Sequence, residues 1–418
     1  MNQADPRFSL AKLIGPGLLV AAAGIGAGDM VSATLGGASW GLALLWVVVL
    51  AAFLKRSLTE GIARWQLATG TTAIEGWCQQ LPWIVRATFG VYLVIWTVSV
   101  SSALASASGL GLANLTNGAV PRPWGAVAHS IIGGGFVLVG GFAWFERIMK
   151  ILIGTMFFSI VACAVLTFGD PGEVLGSLLV PRIPAGAGLS VLSVLGGIGG
   201  SVTMLAYNYW LREENMVGPK WLRHVRADIT VAYIFTAVFG ISVMIIANRA
   251  FHLPGVQVTN AQAVTKMAET LAQVIGPIGF WAYSVGFWAA VFASLLGCWQ
   301  SIPYLFADYY GLMRRYDRSV RARMTQVTSG PYRLSLLFVT LVPIPFAFLD
   351  QPLFLIKAFT IIGSLFIPFL AGTLLYLNNY RIPVDSGVPK NSWLTNSVLI
   401  SALVLFAVVG ASEAGLLR

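Results

Sequence analysis

The sequence predicts an all-α integral membrane protein with eleven transmembrane helices. Hydrophobic residues make up 57% and charged residues only 10% of the 418 residues, whereas about a quarter of the residues of a soluble domain are charged. The mean hydropathy is +0.79, and apolar runs of about 20 residues, the length that crosses a bilayer, recur along the chain. We therefore predict a single transmembrane domain over residues 1–418.

The apolar runs define the predicted spans. In chain order they are 12–36, 40–63, 86–113, 126–146, 149–169, 187–211, 227–248, 274–306, 333–349, 353–379 and 395–416. The connections between them are of loop length and contain no phosphate-binding motif, which excludes an ATP-driven pump with a large cytoplasmic domain. The first run is too long for a signal peptide, so we expect an uncleaved helix.

The basic residues predict the orientation in the membrane. Most of the 26 Lys and Arg residues fall on one side of the predicted spans, among them Lys55, Arg56 and the cluster Arg314–Arg323. By the positive-inside rule, the N-terminus of this multi-pass cell-membrane protein is cytoplasmic and the C-terminus is outside. This topology accounts for the net charge of +10, so we expect the lipid bilayer and a small solute as partners and no nucleic acid. The oligomeric state is left open.

Cysteine and histidine residues do not point to a metal cluster. The 3 Cys and 3 His residues are scattered without the spacing of a zinc site or a disulfide framework. No nucleophile lies beside a candidate base. We therefore predict that the chain is not an enzyme and has no cofactor.

Two glycine clusters predict breaks in the first and sixth spans. GIGAGD occupies residues 24–29 and GGIGGS occupies residues 196–201, and each glycine in a helix interior costs about 1 kcal/mol relative to alanine. Paired glycine-interrupted spans in the two halves of a chain are typical of a transporter site at the membrane midplane. The alternative is that the glycines only allow close helix packing.

The position of the clusters predicts an internal repeat. We predict repeat one at about 12–169, repeat two at about 187–379 and an extra helix at about 395–416. Asp29 is the ionisable side chain within the first break, and such residues normally face a cavity or a partner. Two roles are open for it: contact with a substrate, or capping of the half-helix that follows.

The first two spans, beginning GPGLLVAAAGIGAGDMVSATLGG at residue 15, resemble the Nramp family of divalent metal ion transporters. The resemblance implies a LeuT-like fold of inverted repeats with helices 1 and 6 broken. The metal-binding Asp of the family matches Gly26, its Pro matches Ala27, and its metal-binding Asn matches Asp29. In the sixth span the methionine ligand matches Met204, and the residue that lends a backbone carbonyl matches Ser201.

The chain departs from the family pattern at several positions. Leu205 and Ala206 replace the Pro and His that follow the methionine, and Ala103 and Ser106 replace the acidic residues of the third span. We therefore expect a secondary transporter of manganese, iron or magnesium that works by alternating access without the usual proton relay. The candidate substrate-binding residues are Asp29, Gly26, Ala27, Ser201, Thr203, Met204, Tyr207 and Asn208, and the candidate metal ligands are Asp29, Met204 and Ser201.

A single carboxylate leaves the alternatives open. Asp29 neutralises only half the charge of a divalent cation, and an uncompensated ion in a low-dielectric site is costly. A partly hydrated magnesium ion would reduce that cost. The other hypotheses are a LeuT-like carrier for a small organic solute or anion, and a membrane sensor that does not transport.

Overall fold

The computed structural model describes residues 16–251, 262–349 and 351–413. Within these ranges the secondary structure is helical, with no strand. The α-helices are α1 Pro16–Gly24, α2 Ala27–Trp40, α3 Leu45–Thr69, α4 Ala73–Gln80, α5 Trp83–Leu115, α6 Arg122–Leu166, α7 Pro171–Leu179, α8 Gly188–Gly197, α9 Ala206–Glu213, α10 Leu222–Phe251, α11 Gln262–Ile275, α12 Pro277–Met313, α13 Arg318–Met324, α14 Gly330–Leu341, α15 Pro343–Ala347, α16 Pro352–Ser364, α17 Phe366–Tyr380 and α18 Trp393–Glu413. Short 3₁₀ helices occupy Val202–Leu205, Pro219–Trp221 and Val384–Ser386.

Several helices begin where the sequence provides a capping residue. Thr72 accepts a hydrogen bond from the backbone N–H of Glu75 (3.2 Å) at the start of α4, and Asp170 accepts one from Gly172 (2.9 Å) at the start of α7. Ser329 does the same for α14. These side chains satisfy backbone donors that have no partner within the first turn of a helix.

In the described ranges, eight helical segments are long and apolar enough to cross a membrane. One of them, α6, has 45 residues and runs through both spans predicted at 126–146 and 149–169. It bends at Gly141 (φ 64°, ψ 168°), which lies within the first of these two spans. The first span and α3 are not among the eight. The prediction of a multi-pass helical membrane protein is confirmed, whereas the count of eleven spans and the two repeats stay predictions.

The broken spans lie in the centre of the bundle. In the most apolar window of Gly188–Glu213, 89% of the residues are buried, against 22% for α18. The half-helix α8 packs against α16, α2 and α3, while α1 packs against α10, α12 and α6. A helix that is apolar on all sides must be covered by other helices or by lipid, and here the two glycine-rich spans are covered by protein.

Candidate substrate site at two helix breaks

The first span breaks between α1 and α2, where the sequence predicts it. The α1 helix ends at Gly24 and α2 begins at Ala27, with Gly26 as its N-cap. A Cβ atom on Gly26 would lie 2.2 Å from Cβ of Ser294 on α12, so only glycine fits against that helix. The Ser294 hydroxyl donates a hydrogen bond to the carbonyl oxygen of Ala23 (2.9 Å), which lies in the last turn of α1.

The sixth span breaks at two consecutive glycines in the left-handed region. Gly199 has φ of 75° and Gly200 has φ of 74°, a conformation that a side chain strongly disfavours. The chain then passes through the 3₁₀ helix Val202–Leu205 into α9. The GGIGGS motif therefore needs glycine for its backbone conformation. Close helix packing is not the only role of its glycines.

The two breaks pack backbone against backbone. A Cβ on Gly24 would lie 2.8 Å from the carbonyl carbon of Gly199, and one on Gly28 would lie 2.9 Å from the carbonyl oxygen of Gly197. Close packing and helix breaking are thus both present. In the described residues, the carbonyl oxygens of Gly24 and Ile25 accept no backbone hydrogen bond from α2 or from the sixth span.

Asp29 joins the two breaks through its carboxylate. Its side chain is fully buried, and Oδ2 accepts a hydrogen bond from the backbone N–H of Gly26 (3.1 Å). Oδ1 accepts one from Gly199 (2.9 Å). Asp29 is therefore a cap of α2 and also a bridge to the sixth span, and its negative charge lies at the positive end of the helix dipole. Its contact with a substrate stays a prediction.

Lys55 lies beside this junction, which corrects the interpretation of this residue as a cytoplasmic charge. The side chain is fully buried on α3. Its ammonium donates hydrogen bonds to the carbonyl oxygens of Gly196 (2.9 Å) and Ile198, at the end of α8. Helix α3 extends to Thr69, six residues beyond the predicted span, so Lys55 lies near the middle of the helix.

The polar groups after the second break are buried in the same region. The Ser201 hydroxyl accepts a hydrogen bond from Trp96 Nε1 (2.9 Å), and its carbonyl oxygen accepts one from the Met204 N–H (3.1 Å). Ala27 and Met204 are fully buried, and Thr203 is 4% exposed. The region is closed to solvent in this conformation.

Tyr207 and Asn208 form their hydrogen bonds with groups other than Asp29. The Tyr207 hydroxyl donates to Asp228 Oδ2 on α10 (2.9 Å). The Asn208 side-chain amide donates to the carbonyl oxygen of Ile62 (3.3 Å) and accepts from the N–H of Ala73 (3.0 Å). In this conformation both residues connect α9 to neighbouring elements through hydrogen bonds. Their contact with a substrate stays a prediction, and it would require movement of α9.

A family model described as natural resistance-associated macrophage protein-like, Nramp, matches residues 17–414. The chain belongs to the Nramp family. This membership confirms the resemblance and the prediction that the chain is of a transporter family rather than an enzyme family.

Curated relatives of this Nramp chain carry the name divalent metal cation transporter MntH. The protein of Chromohalobacter salexigens is 26% identical over 291 residues, which are 65% of this chain and 64% of that protein. The protein of Deinococcus radiodurans is 26% identical over 299 residues, 67% of this chain and 64% of that protein. The chain thus matches less than two thirds of the length of each relative.

Solved structures confirm the fold. A mutant of the Eremococcus coleocola manganese transporter matches with a TM-score of 0.71 at 15% identity, over 99% of this chain and 88% of that chain. MhsT in complex with L-phenylalanine matches with a TM-score of 0.63 at 17% identity, over 97% of this chain and 98% of that chain. An all-α LeuT-like fold is therefore shown.

Asp228 on α10 is a buried acid that the sequence of this Nramp chain does not lead us to expect. Asp228 is 2% exposed and accepts hydrogen bonds from the Tyr207 hydroxyl and from the N–H of Gly17 (2.6 Å). It thereby connects the beginning of α1 to α9. The sequence signal is weak, because Asp228 follows the basic stretch RHVR at the start of a predicted span. Asp29 is thus not the sole acid within the spans.

Asp308 on α12 is also buried. It is 1% exposed, and it accepts hydrogen bonds from the hydroxyls of Thr72 (3.1 Å) and Tyr209 (2.8 Å). Arg321 forms ion pairs with Asp308 (3.0 Å) and Glu75 (2.5 Å). This network connects α4, α9, α12 and α13 beside a cavity of about 220 Å³.

The third span lacks acidic residues at the two matched positions. Ala103 and Ser106 are fully buried on α5, and the Ser106 hydroxyl accepts a hydrogen bond from Arg122 Nη1 (3.0 Å). A cationic group therefore lies where the Nramp resemblance would place a carboxylate. Among the described residues, no group of three or more His, Cys, Asp or Glu side chains is arranged to hold a metal ion.

Proposed function

We propose that the chain is a secondary transporter that moves a divalent metal cation by alternating access, with manganese, iron and magnesium as the candidate ions. The observation that carries this proposal is the junction of two broken helices bridged by the buried Asp29 carboxylate. Broken spans in a bundle core expose backbone dipoles, and such dipoles are used to bind ions at a membrane midplane. The names of the curated relatives support the same substrate class.

The proposed ion site combines hard and soft ligands. Asp29 provides the charge, the carbonyl oxygens of Gly24 and Ile25 provide neutral oxygen ligands, and Met204 provides a thioether. Oxygen ligands suit all three candidate ions, whereas sulfur favours manganese or iron over magnesium. Gly26, Ala27, Ser201 and Thr203 line the proposed site, and Tyr207 and Asn208 belong to the half-helix that moves.

The proposed gate on the predicted cytoplasmic side depends on two buried acids. Asp228 connects the first turn of α1 to α9, and Asp308 connects α9 to α12 and α13. Opening on this side requires α1 or α9 to leave those carboxylates. Because the third span has no acidic residue at the matched positions, we propose that the ion is not accompanied by a proton along that span.

A second candidate function is a LeuT-like carrier for a small organic solute or anion. The observation that favours it is the Lys55 ammonium on the carbonyl oxygens of Gly196 and Ile198. Together with Asp29, Lys55 makes the junction electrically neutral before any substrate binds. A neutral or zwitterionic solute would then enter without an unbalanced charge, whereas a divalent cation would add two uncompensated positive charges.

Uptake into proteoliposomes tests both candidates. With an inside-negative potential we expect accumulation of manganese or magnesium by the unmodified protein and none by Asp29→Ala, because the substitution removes the proposed ionic ligand. Asp385→Ala, at an exposed position of the 3₁₀ helix Val384–Ser386, is the matched control and is expected to transport normally. If the unmodified protein takes up no manganese, iron or magnesium, the cation proposal is wrong. Metal-independent binding of a small organic solute would then support the second candidate.

A further inference from the structure

The structure contains a lysine that is fully buried near the middle of a helix. Lys55 is the eleventh residue of the 25-residue helix α3, about 15 Å along its axis. Its side chain is fully buried. A charge buried away from water is costly unless it has a specific partner.

The partners of Lys55 are the last carbonyl groups of a half-helix. Its ammonium donates to the carbonyl oxygens of Gly196 (2.9 Å) and Ile198. In an uninterrupted helix these oxygens would accept bonds from the next turn, but the left-handed Gly199 and Gly200 end the helix there. Carbonyls at a helix C-terminus carry partial negative charge and favour a cation.

A carboxylate lies beside the same segment. Asp29 accepts the N–H of Gly199, one residue after the Ile198 carbonyl that binds Lys55. The ammonium and the carboxylate are both fully buried and interact electrostatically without forming a direct ion pair. Two backbone carbonyls and one carboxylate are the ligand chemistry of a small inorganic cation.

We propose that Lys55 is a built-in cation that fills a monovalent cation position formed by Gly196, Ile198 and Asp29. The four-carbon side chain carries the positive charge from α3 to the break of the sixth span. The negative charge of the carbonyl groups there is therefore neutralised by the chain itself. If the chain is a transporter as proposed above, the closed conformation then needs no coupling ion at this position, and this consequence rests on that proposed function. Lys55 is a positioning residue, and it also sets which cations the junction accepts.

Replacement of Lys55 by methionine removes the charge and keeps most of the volume. For purified Lys55→Met in detergent, we expect that replacing choline by sodium or potassium at constant ionic strength raises the melting temperature by about 2 °C or more, saturably, because a ligand that binds only the folded state stabilises it. The unmodified protein and Lys55→Arg should show no such response. Lys390→Met, at an exposed position, is the matched control and should behave as the unmodified protein.

Three outcomes decide the proposal. A folded Lys55→Met with no response to any monovalent cation overturns it. A response that persists in the double variant Lys55→Met with Asp29→Asn also overturns it, since the carboxylate is then not a ligand. If Lys55→Met does not fold, the test uses the unmodified protein and Lys55→Gln. Stabilisation of the unmodified protein by sodium then overturns the proposal. No stabilisation of the unmodified protein, together with stabilisation of Lys55→Gln by sodium, supports it. Because these readouts measure binding, an absence of metal uptake would leave them unchanged.

Discussion

Asp228→Asn is expected to loosen the predicted cytoplasmic gate without disturbing the rest of the bundle. The carboxylate accepts hydrogen bonds from the N–H of Gly17 (2.6 Å) and the hydroxyl of Tyr207 (2.9 Å). A hydrogen bond to a charged group contributes about 1.5–3 kcal/mol, against about 0.5–1.5 kcal/mol for a neutral pair. Asparagine keeps the shape and loses the charge, so the two contacts together weaken by about 2 kcal/mol.

This loss corresponds to a shift of about 30-fold in the equilibrium for separating α1 from α9, since each 1.4 kcal/mol is a factor of about ten. Hydrogen–deuterium exchange of the purified protein measures it directly, because amide exchange reports local opening. We expect amides of α1 and α9 to exchange about 30-fold faster, while α18, at the edge of the bundle, keeps its rate.

Two results would refute this reasoning. Unchanged protection of α1 and α9 in Asp228→Asn would mean that Asp228 does not hold the gate. Equal acceleration in α18 would mean that the substitution destabilises the whole fold. Asp385→Asn, which changes an exposed aspartate in the same way, is the control and should leave all rates unaltered.

Two further predictions concern stability. Gly196→Ala places a Cβ 1.8 Å from the carbonyl oxygen of Thr360. Such overpacking should destabilise the protein by about 1–3 kcal/mol, which lowers its melting temperature. An unchanged melting temperature would show that α8 and α16 can separate freely. Arg321→Gln leaves Glu75 and Asp308 buried without their cation and should lower the free energy of unfolding by about 3–5 kcal/mol. Chemical denaturation measures this free energy. A decrease of less than about 1 kcal/mol would contradict the stabilising role of the network.

The helix breaks could be predicted because their cause is local. The glycines of GIGAGD and GGIGGS weaken a helix wherever they occur, and the breaks lie within these motifs. Asp29 could likewise be singled out, because a carboxylate inside an apolar run is costly in any fold. Its bond to Gly199 could not be predicted, since the two residues are 170 positions apart in sequence.

The role of Lys55 could not be predicted for the same reason. A lysine near the end of an apolar run is typical of a topology signal, and the span predicted at 40–63 placed it close to such an end. The helix extends further, and the carbonyl partners of Lys55 come from residues 141 and 143 positions away. The environment of Asp308 could not be predicted either, because Arg321 and Tyr209 reach it from other helices.

The glycine-on-glycine junction of the two broken spans has a consequence for how this bundle can move. Ordinary helix pairs interlock through ridges and grooves of side chains, so that one helix must lift out of the other before it slides. Gly24, Gly28, Gly197 and Gly199 present no such ridges to each other. The half-helices can therefore shift along this contact without lifting over side-chain ridges. The bonds that such a shift must break are those of Asp29 and Lys55 to the sixth span.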